Sequence, residues 1–282
     1  MLRVGITEVD IAFEDKERAK ENCIKVMETA KENGVELLVF PEMTLTGYTM
    51  MPGKVYERSA DGRYSDSVSF FMEQSRRYNM AMAFGYIDAV EGDAAINQNG
   101  AEQTGTKNKA VKYMNKLAVV QGEDILLDYA KIHPFSYSNE HLVYRGGDRL
   151  CQMKLKDVRI GGYICYDLRF PEIFAAAREK YDAILVIANW PQERVLQWEA
   201  LLKARAIENQ AYVIAVNRTG VSGKLTYVPS SHIYDQLGCD IAKRVDETLL
   251  IADLDGEKIC NARKLFPQER DRKNELYRAF LQ

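Results

Sequence analysis

Residues 183–217 read AILVIANWPQERVLQWEALLKARAIENQAYVIAVN. The apolar runs at 183–188 and 212–217 predict two strands that are buried on both faces. Between them, residues 195–209 are predicted to form a helix. Strands that alternate with helices are typical of an α/β domain, so this stretch indicates the fold class.

The rest of the chain repeats this alternation. Apolar residues spaced by three and four predict a helix over 14–33, which ends at Gly34. The polar stretch 91–108 is predicted to be a surface excursion rather than a linker. Because the composition shows no break, we expect one domain over residues 1–282. Further helices are predicted at 66–79 and 171–180, and strands at 3–10, 36–40, 81–88, 109–120, 124–131, 149–155, 158–164, 227–235 and 248–253.

The composition argues against several classes of protein. The 282 residues carry 38 basic and 41 acidic side chains, which disfavours nucleic acid or an anionic membrane surface as a partner. No apolar run approaches the ~18 residues needed to span a bilayer, and the N-terminal MLRVGITEVDI lacks the features of a signal peptide. The five cysteines are odd in number and show no CxxC spacing, so we expect a cytoplasmic protein without disulfides. The three histidines form no metal-binding pattern, and no metal site is expected.

Three reactive residues stand at strand ends, where open α/β sheets bind ligands. Glu42 follows a strand in VFPEM, Lys131 ends the run ILLDYAK, and Cys165 closes a β-rich segment shortly before Pro171. Each has an ordinary alternative: a carboxylate in a surface turn, a lysine that reaches solvent, or a small buried thiol. A cysteine at a strand-to-helix turn can also have its thiolate favoured by backbone N–H groups and a nearby cation.

Together these residues form a set for acyl transfer. The thiol is the nucleophile, the carboxylate takes its proton and later activates water, and the ammonium stabilises an oxyanion beside a backbone N–H such as that of Tyr166. Such a set hydrolyses an amide or a nitrile through a thioester. The rival motifs GxSxG, GxxxxGK[ST] and GxGxxG are absent from the sequence. No papain-like signature surrounds His133, His141 or His232.

These segments resemble a known family. PEM at 41–43, KIHPF at 131–135 and GGYICYDLRFPE at 161–172 resemble the three signatures of the nitrilase superfamily of carbon–nitrogen hydrolases, in the expected order. ANWP at 188–191, followed by WEALLKARAIENQAYVIAVNRTG at 198–220, resembles the omega-amidase branch. That branch hydrolyses the terminal amide of 2-oxo acid amides such as 2-oxoglutaramate and 2-oxosuccinamate.

The resemblance implies a fold and an assembly. The fold is a four-layer α-β-β-α sandwich, with two sheets face to face and helices outside. Relatives need no cofactor, and they usually form homodimers. The implied dimer interface lies on the helices at 171–180 and 195–209, with the C-terminal tail 256–282 packing on the partner. Leu265, Phe266, Leu276, Tyr277 and Phe280 are the tail's apolar candidates for this contact, and a solvated terminal helix is the alternative.

The resemblance also assigns roles to single residues. It matches Glu42 to the general base, Lys131 to the oxyanion-stabilising lysine and Cys165 to the nucleophile. Glu140, in SNEHL, matches a second glutamate that orients the lysine or the substrate. Arg169 can hold a substrate carboxylate through a bidentate pair, or instead form a structural ion pair with Asp167 or Glu172. The candidates for the pocket wall are Trp190, Tyr48 and Phe135, with ordinary packing as the alternative for the last two.

Three functions are compatible with these patterns. The favoured one is an omega-amidase that releases ammonia from a 2-oxo dicarboxylate monoamide. The second is another carbon–nitrogen hydrolase, such as an N-carbamoyl amidohydrolase or an aliphatic amidase. The third is a dimeric scaffold that has kept only the fold, which the presence of all three reactive residues disfavours.

The sequence departs from the pattern of its relatives at PSSHIYD, residues 229–235. The glycine that often precedes the matching serine in relatives is missing here. This departure bears on the substrate pocket rather than on the reactive residues.

Overall fold

The structure is a computed structural model that describes residues 1–58, 62–91 and 111–280. The predicted excursion at 91–108 lies almost wholly outside the described residues. The strands are β1 Leu2–Thr7, β2 Leu37–Val39, β3 Ala81–Glu91, β4 Val111–Gln121, β5 Asp124–Ala130, β6 Gln152–Leu155, β7 Val158–Ile164, β8 Ala183–Ala188, β9 Tyr212–Asn217, β10 Gly220–Ser222, β11 Leu225–Tyr227, β12 His232–Tyr234, β13 Lys243–Arg244 and β14 Leu249–Leu254. The α-helices are α1 Lys16–Glu32, α2 Pro52–Val55, α3 Asp66–Tyr78, α4 Glu140–Val143, α5 Pro171–Ala176, α6 Val195–Asn209, α7 Gly256–Leu265 and α8 Asn274–Phe280.

Two large sheets organise the molecule. The first has the order β13-β14-β1-β2-β3-β4-β5, and the second has the order β12-β9-β8-β7-β6. Each has a parallel centre, formed by β1, β2 and β3 in one sheet and by β7, β8 and β9 in the other. Antiparallel strands complete the sheets at their edges. Parallel centres put several strand ends at the same edge, which is where ligand sites form in such sheets.

The two sheets pack face to face with helices outside. One continuous apolar core joins residues of both sheets, including Val4 and Val119 from the first and Ile160 and Val186 from the second. A second core lies between the first sheet and helices α1 and α3. Trp198 of α6 packs against the second sheet. The predicted four-layer α-β-β-α sandwich is therefore confirmed.

Two predicted elements are shorter than their patterns suggested. The helix predicted at 171–180 ends at Ala176, because Glu179 adopts a positive φ of 64° and Lys180 donates back to Ala177 in a turn. The strand predicted at 227–235 is interrupted between β11 and β12. There the Ser231 hydroxyl donates to the backbone of Thr7 rather than joining a regular ladder.

The C-terminal segment divides into two parts. Helix α7 packs on the chain's own core through the fully buried Ile259, and the Arg263 side chain donates to the Tyr181 carbonyl. Beyond α7, a short 3₁₀ turn and helix α8 contain no buried residue. No helix in the described ranges combines the length and apolar character that crossing a membrane requires.

Candidate active site

Glu42 is placed by a close crossing of two backbones. It follows β2, and the next residues lie against Gly85 of β3, which accepts from the Thr44 N–H at 2.9 Å. A Cβ atom on Gly85 would come within 2.3 Å of the Met43 backbone nitrogen, so only glycine allows this approach. The Glu42 side chain is fully buried as a result.

Both oxygens of the Glu42 carboxylate accept hydrogen bonds. Oε1 accepts from Asn115 Nδ2 at 2.7 Å and from Lys131 Nζ at 3.1 Å. Oε2 accepts from the backbone N–H of Asn189 at 2.9 Å. Asn189 directly follows β8, so the two similar strand exits, VFPEM and IANWP, meet at this carboxylate.

Lys131 lies between two carboxylates. It follows β5 and is 1 % exposed, and its Nζ donates to Glu140 Oε1 and Oε2 at 3.1 and 2.9 Å as well as to Glu42. Burial alone would lower the pKa of Lys131, but the Glu42 and Glu140 carboxylates outweigh it and hold that pKa well above its usual value. Lys131 is therefore a fixed ammonium group.

The Cys165 turn is unusual in its backbone. Cys165 directly follows β7 and has a φ of 46°, a left-handed conformation that side-chain-bearing residues rarely adopt. A 3₁₀ helix over Cys165–Arg169 begins at the same residue. The buried Asp167 carboxylate accepts from the Ile164 N–H at 3.1 Å. This bond spans the strained residue and stabilises the turn.

The resting Cys165 is a thiol. Burial raises its pKa well above the ordinary value, and the Glu42 carboxylate adds to that increase. Lys131 and the Asn189 backbone amide act in the opposite direction but do not outweigh these effects. A backbone N–H and a nearby cation thus do favour the thiolate at this turn, but burial and the Glu42 carboxylate favour the thiol more strongly. Glu42 and Cys165 line the same cavity, and the Glu42 charge acts on the Cys165 thiol.

The reactive residues line a cavity of about 480 Å³. Its walls also contain every residue that the sequence suggested for substrate contact, whereas Glu140 lies behind Lys131 and does not line it. Tyr48 is fixed by a 2.7 Å hydrogen bond to Ser138, and the Tyr166 and Phe135 rings contact each other at 4.7 Å. The lining residues are Glu42, Tyr48, Lys131, Phe135, Tyr137, Ser138, Cys165, Tyr166, Arg169, Asn189, Trp190, Pro191, Arg194, Leu225 and Tyr227.

Two arginines of the cavity lie beside Trp190. The Arg169 guanidinium stacks on the Trp190 ring at 4.8 Å and donates to Gln197 at 2.6 Å, not to Asp167 or Glu172. Arg194 is the last residue of a 3₁₀ turn over Gln192–Arg194. Its backbone carbonyl accepts from Trp190 Nε1 at 2.8 Å. Among the described residues, neither guanidinium has a carboxylate within ion-pairing distance. The cavity therefore offers two uncompensated positive groups to a ligand.

Sequence reasoning missed four residues of this site. Asn115 is a lone asparagine inside β4. It stands opposite Ile87 of β3 and accepts from the Lys131 N–H through its backbone, and this placement between β3 and Lys131 brings its side chain to the two glutamates. Asn189 contributes through its backbone amide, which no side-chain pattern reveals. Arg194 and Tyr227 lie on short elements beside the cavity. The ANWP segment was the one available signal, since it places Asn189 next to the predicted Trp190.

The arrangement suits acyl transfer by side chains alone. Within the described ranges, no group of three or more histidine, cysteine, aspartate or glutamate residues is placed to hold a metal ion. A partly buried thiol, a buried carboxylate and a fixed ammonium group face one cavity, which is an arrangement that a thioester mechanism can use.

Comparisons with known proteins agree with this chemistry. The chain is 31% identical over 229 residues to the protein named omega-amidase YafV of Escherichia coli, covering 78% of this chain and 80% of that protein. It is 30% identical over 244 residues to the 2-oxoglutaramate amidase of Bacillus subtilis, covering 86% of each. The crystal structure of XC1258 from Xanthomonas campestris, described as a CN-hydrolase superfamily protein with an arsenic adduct in its active site, superposes with a TM-score of 0.79 at 27% identity, covering 96% of this chain and 97% of that chain. The family profile described as carbon-nitrogen hydrolase matches residues 3–264, so the chain belongs to the carbon–nitrogen hydrolase family of the nitrilase superfamily.

Proposed function

We propose that this enzyme is an omega-amidase, which hydrolyses the terminal amide of 2-oxo dicarboxylate monoamides such as 2-oxoglutaramate and 2-oxosuccinamate. One observation carries the proposal: the cavity that holds Cys165 and Lys131 also holds two arginines that have no carboxylate partner in the described part of the chain. A substrate with an amide at one end and a carboxylate at the other matches both features. Relatives with the names omega-amidase and 2-oxoglutaramate amidase support the same choice.

The first half of the reaction is acylation. The Cys165 sulfur attacks the amide carbon while Glu42 accepts the thiol proton. The oxyanion that develops is stabilised by the Lys131 ammonium group and by a backbone N–H such as that of Tyr166. Glu42 then gives its proton to the amide nitrogen, the C–N bond breaks, and ammonia departs. A thioester remains on Cys165.

The second half is hydrolysis of the thioester. Glu42, again a carboxylate, takes a proton from a water molecule that attacks the thioester carbon. The tetrahedral intermediate collapses, the C–S bond breaks, and the sulfur recovers the proton from Glu42. The sum is one amide and one water converted to one carboxylic acid and one ammonia. Glu140 and Asn115 keep Lys131 and Glu42 in place through both halves.

The other end of the substrate contacts the arginines. Arg169 presents a planar guanidinium that can bind a carboxylate through two parallel hydrogen bonds. Its stacking on Trp190 fixes the plane of that guanidinium. Trp190, Tyr48 and Phe135 form the walls that exclude water from the acyl chain.

We also propose that the enzyme is a homodimer that acts in the cytoplasm without a cofactor. Two exposed apolar residues of α6, Leu196 and Ile207, are 78 % and 49 % exposed. They are three helical turns apart and so share one face. Exposed apolar surface of this kind is typical of an interface. The apolar side chains of the tail 256–282 that the sequence singled out are all exposed: Leu265, Phe266, Leu276, Tyr277 and Phe280.

The state of the cysteines supports the cytoplasm as the compartment. All five cysteines are free thiols, as a reducing compartment favours.

The test is ammonia release from 2-oxoglutaramate by the wild type and by Cys165→Ala. The wild type is expected to release ammonia, and the variant is expected to release none while remaining folded by circular dichroism. Ammonia release by the folded variant would contradict the assignment of the nucleophile. A wild type that prefers N-carbamoyl amines or simple aliphatic amides would identify the alternative, another carbon–nitrogen hydrolase.

A further inference from the structure

A small hairpin beside the active site belongs to neither large sheet. Its strands β10 and β11 pair antiparallel, with Gly220 opposite Tyr227. The hairpin contributes Leu225 and Tyr227 to the cavity that contains Cys165. Leu225 is 39 % exposed, whereas Tyr227 is only 5 % exposed. The hairpin therefore inserts one nearly buried phenol into the cavity.

The Tyr227 hydroxyl has no hydrogen-bond partner among the described residues. Two other buried tyrosines of the chain do have one: the Tyr129 hydroxyl donates to Asp167, and the Tyr144 hydroxyl donates to the Thr49 carbonyl. The Tyr227 hydroxyl is not among the enclosed polar atoms that lack a partner, so it is open to the cavity. A tyrosine hydroxyl at such a place normally finds a hydrogen-bond partner. Since Tyr227 lines the cavity, the partner that suits its hydroxyl is a bound ligand.

The Tyr227 ring is held in place by contact with the Arg218 guanidinium. The Arg218 guanidinium lies 4.7 Å from the ring centre. Arg218 is itself fully buried, and its Nη2 donates to Asp10 at 2.8 Å and to the Ile11 carbonyl at 2.9 Å. A phenol that is held this way is preorganised, so a ligand does not have to order it on binding.

The protonation state of Tyr227 suits it to a neutral acceptor. Burial raises its pKa to about 12, and Cys165 and Glu42 contribute in the same direction. The group is therefore a neutral O–H donor at physiological pH. The cavity already has cations for the charged parts of the substrate, with Arg169 for a carboxylate and Lys131 for the oxyanion. Neither cation is assigned to a carbonyl oxygen within the acyl chain, so this oxygen is the acceptor that remains for the Tyr227 hydroxyl.

We propose that Tyr227 is a specificity-determining residue that donates a hydrogen bond to the 2-oxo oxygen of the substrate. The assignment rests on the proposed function, because it needs a substrate that carries this oxygen. It predicts that the enzyme distinguishes a 2-oxo amide from the same amide without the oxo group, and that Tyr227 is the source of the difference.

The test compares two substrates and two enzymes. Wild type and Tyr227→Phe are assayed for ammonia release from 2-oxoglutaramate and from glutaric acid monoamide, which has the same chain without the oxo group. Phenylalanine keeps the ring under Arg218, so the variant should fold. We expect kcat/KM for 2-oxoglutaramate to fall roughly 10- to 100-fold, as for loss of one buried hydrogen bond. For the monoamide we expect a change of less than about twofold.

Tyr78→Phe is the matched control. Tyr78 is 8 % exposed, its hydroxyl also has no partner among the described residues, and it lies at the end of α3 rather than in the cavity. Both substrates should be hydrolysed by this control as by the wild type. An equal loss on both substrates in Tyr227→Phe would overturn the proposal in favour of contact with the oxyanion or the leaving group. No loss on either would also overturn it, in favour of packing alone. A wild type inactive on both substrates would refute the proposed function itself.

Discussion

The Asp167 carboxylate holds His133 by two bonds, one to its backbone N–H at 3.0 Å and one to its ring Nδ1 at 2.8 Å. The other carboxylate oxygen accepts from the Tyr129 hydroxyl at 2.8 Å and from the Ile164 N–H. Tyr129 and His133 flank Lys131 in the sequence, and Ile164 precedes Cys165. One buried carboxylate thus joins the Lys131 segment to the Cys165 turn.

Asp167→Asn should misalign the two segments. The amide NH₂ group would face donors that now bind a carboxylate oxygen, so at least one of them would lose its partner. We expect the free energy of unfolding to fall by about 2 kcal/mol or more, and kcat to fall roughly 10- to 100-fold because the reacting groups are misplaced. Urea unfolding and steady-state ammonia release measure the two effects.

Tyr129→Phe is the matched control for that variant. It removes one of the four donors and leaves the carboxylate with three, so the loss of stability should be near 1 kcal/mol, with a smaller loss of kcat than in Asp167→Asn. If Asp167→Asn kept wild-type kcat, the carboxylate would have no part in positioning Lys131 and Cys165.

The sequence pattern anticipates the site where the chemistry depends on residue type at strand ends. Glu42, Lys131 and Cys165 each follow an apolar run, and the structure brings all three to one cavity. The large elements were also predictable, because periodicity of apolar residues reports burial directly. The helix 195–209 and the strands 183–188 and 212–217 have the observed bounds.

What the pattern did not reveal depends on long-range register or on backbone groups. Asn115 reaches Glu42 because β4 pairs with β3, which no local window of sequence specifies. Tyr227 is the first residue of a segment predicted as a continuous strand, 227–235. The break after it comes from side-chain bonds of Ser231, and such bonds depend on tertiary contacts.

Gly85→Ala should damage the site from a neighbouring strand. The new methyl group would lie 2.3 Å from the Met43 nitrogen and 2.6 Å from Glu42 Cα, both backbone atoms that cannot rotate away. We expect a loss of about 1–3 kcal/mol in unfolding free energy and a marked fall in kcat as Glu42 shifts. Thermal unfolding and ammonia release at saturating substrate report the two changes.

Gly53→Ala provides the comparison for Gly85→Ala. Within the described residues, its methyl group would approach the Tyr113 hydroxyl alone, at 3.2 Å, and Gly53 lies in the short helix α2. We expect activity within about twofold of the wild type and a change in stability below about 1 kcal/mol. If both glycine variants behaved alike, the close approach of β3 to Glu42 would not be what positions the base.

Leu196→Asp should weaken the proposed dimer. This side chain is 78 % exposed on α6, and a carboxylate buried against a partner would be strongly destabilising. Sedimentation velocity should show a dimer for the wild type and a shift towards monomer for the variant. Phe13→Asp, at a 46 % exposed side chain that precedes α1 on the helical layer of the first sheet, should leave the dimer intact. A monomeric wild type, or a variant that stays dimeric, would contradict this interface.

The raised pKa of Cys165 gives the enzyme a characteristic dependence on pH. Because the Glu42 and Glu140 carboxylates both raise that pKa, removing the charge of Glu140 should lower it. Glu140→Gln should therefore react faster with iodoacetamide at neutral pH than the wild type does, even though its kcat is reduced. The rate is read at Cys165 by mass spectrometry of its peptide, since Cys239 and Cys260 are also exposed.

The same titration has a consequence for stability. The folded protein holds the Cys165 proton to higher pH than the unfolded chain, whose thiol ionises near pH ~8.5. The unfolding free energy should therefore decrease as pH rises above that value, and the decrease should be smaller in Cys165→Ala. Glu123→Gln, at an exposed carboxylate paired with Arg76, should leave both the alkylation rate and the alkaline stability unchanged. If Glu140→Gln slowed alkylation instead, the Glu140 charge would favour the thiolate overall. Its support of the Lys131 ammonium group would then outweigh its direct repulsion of the thiolate.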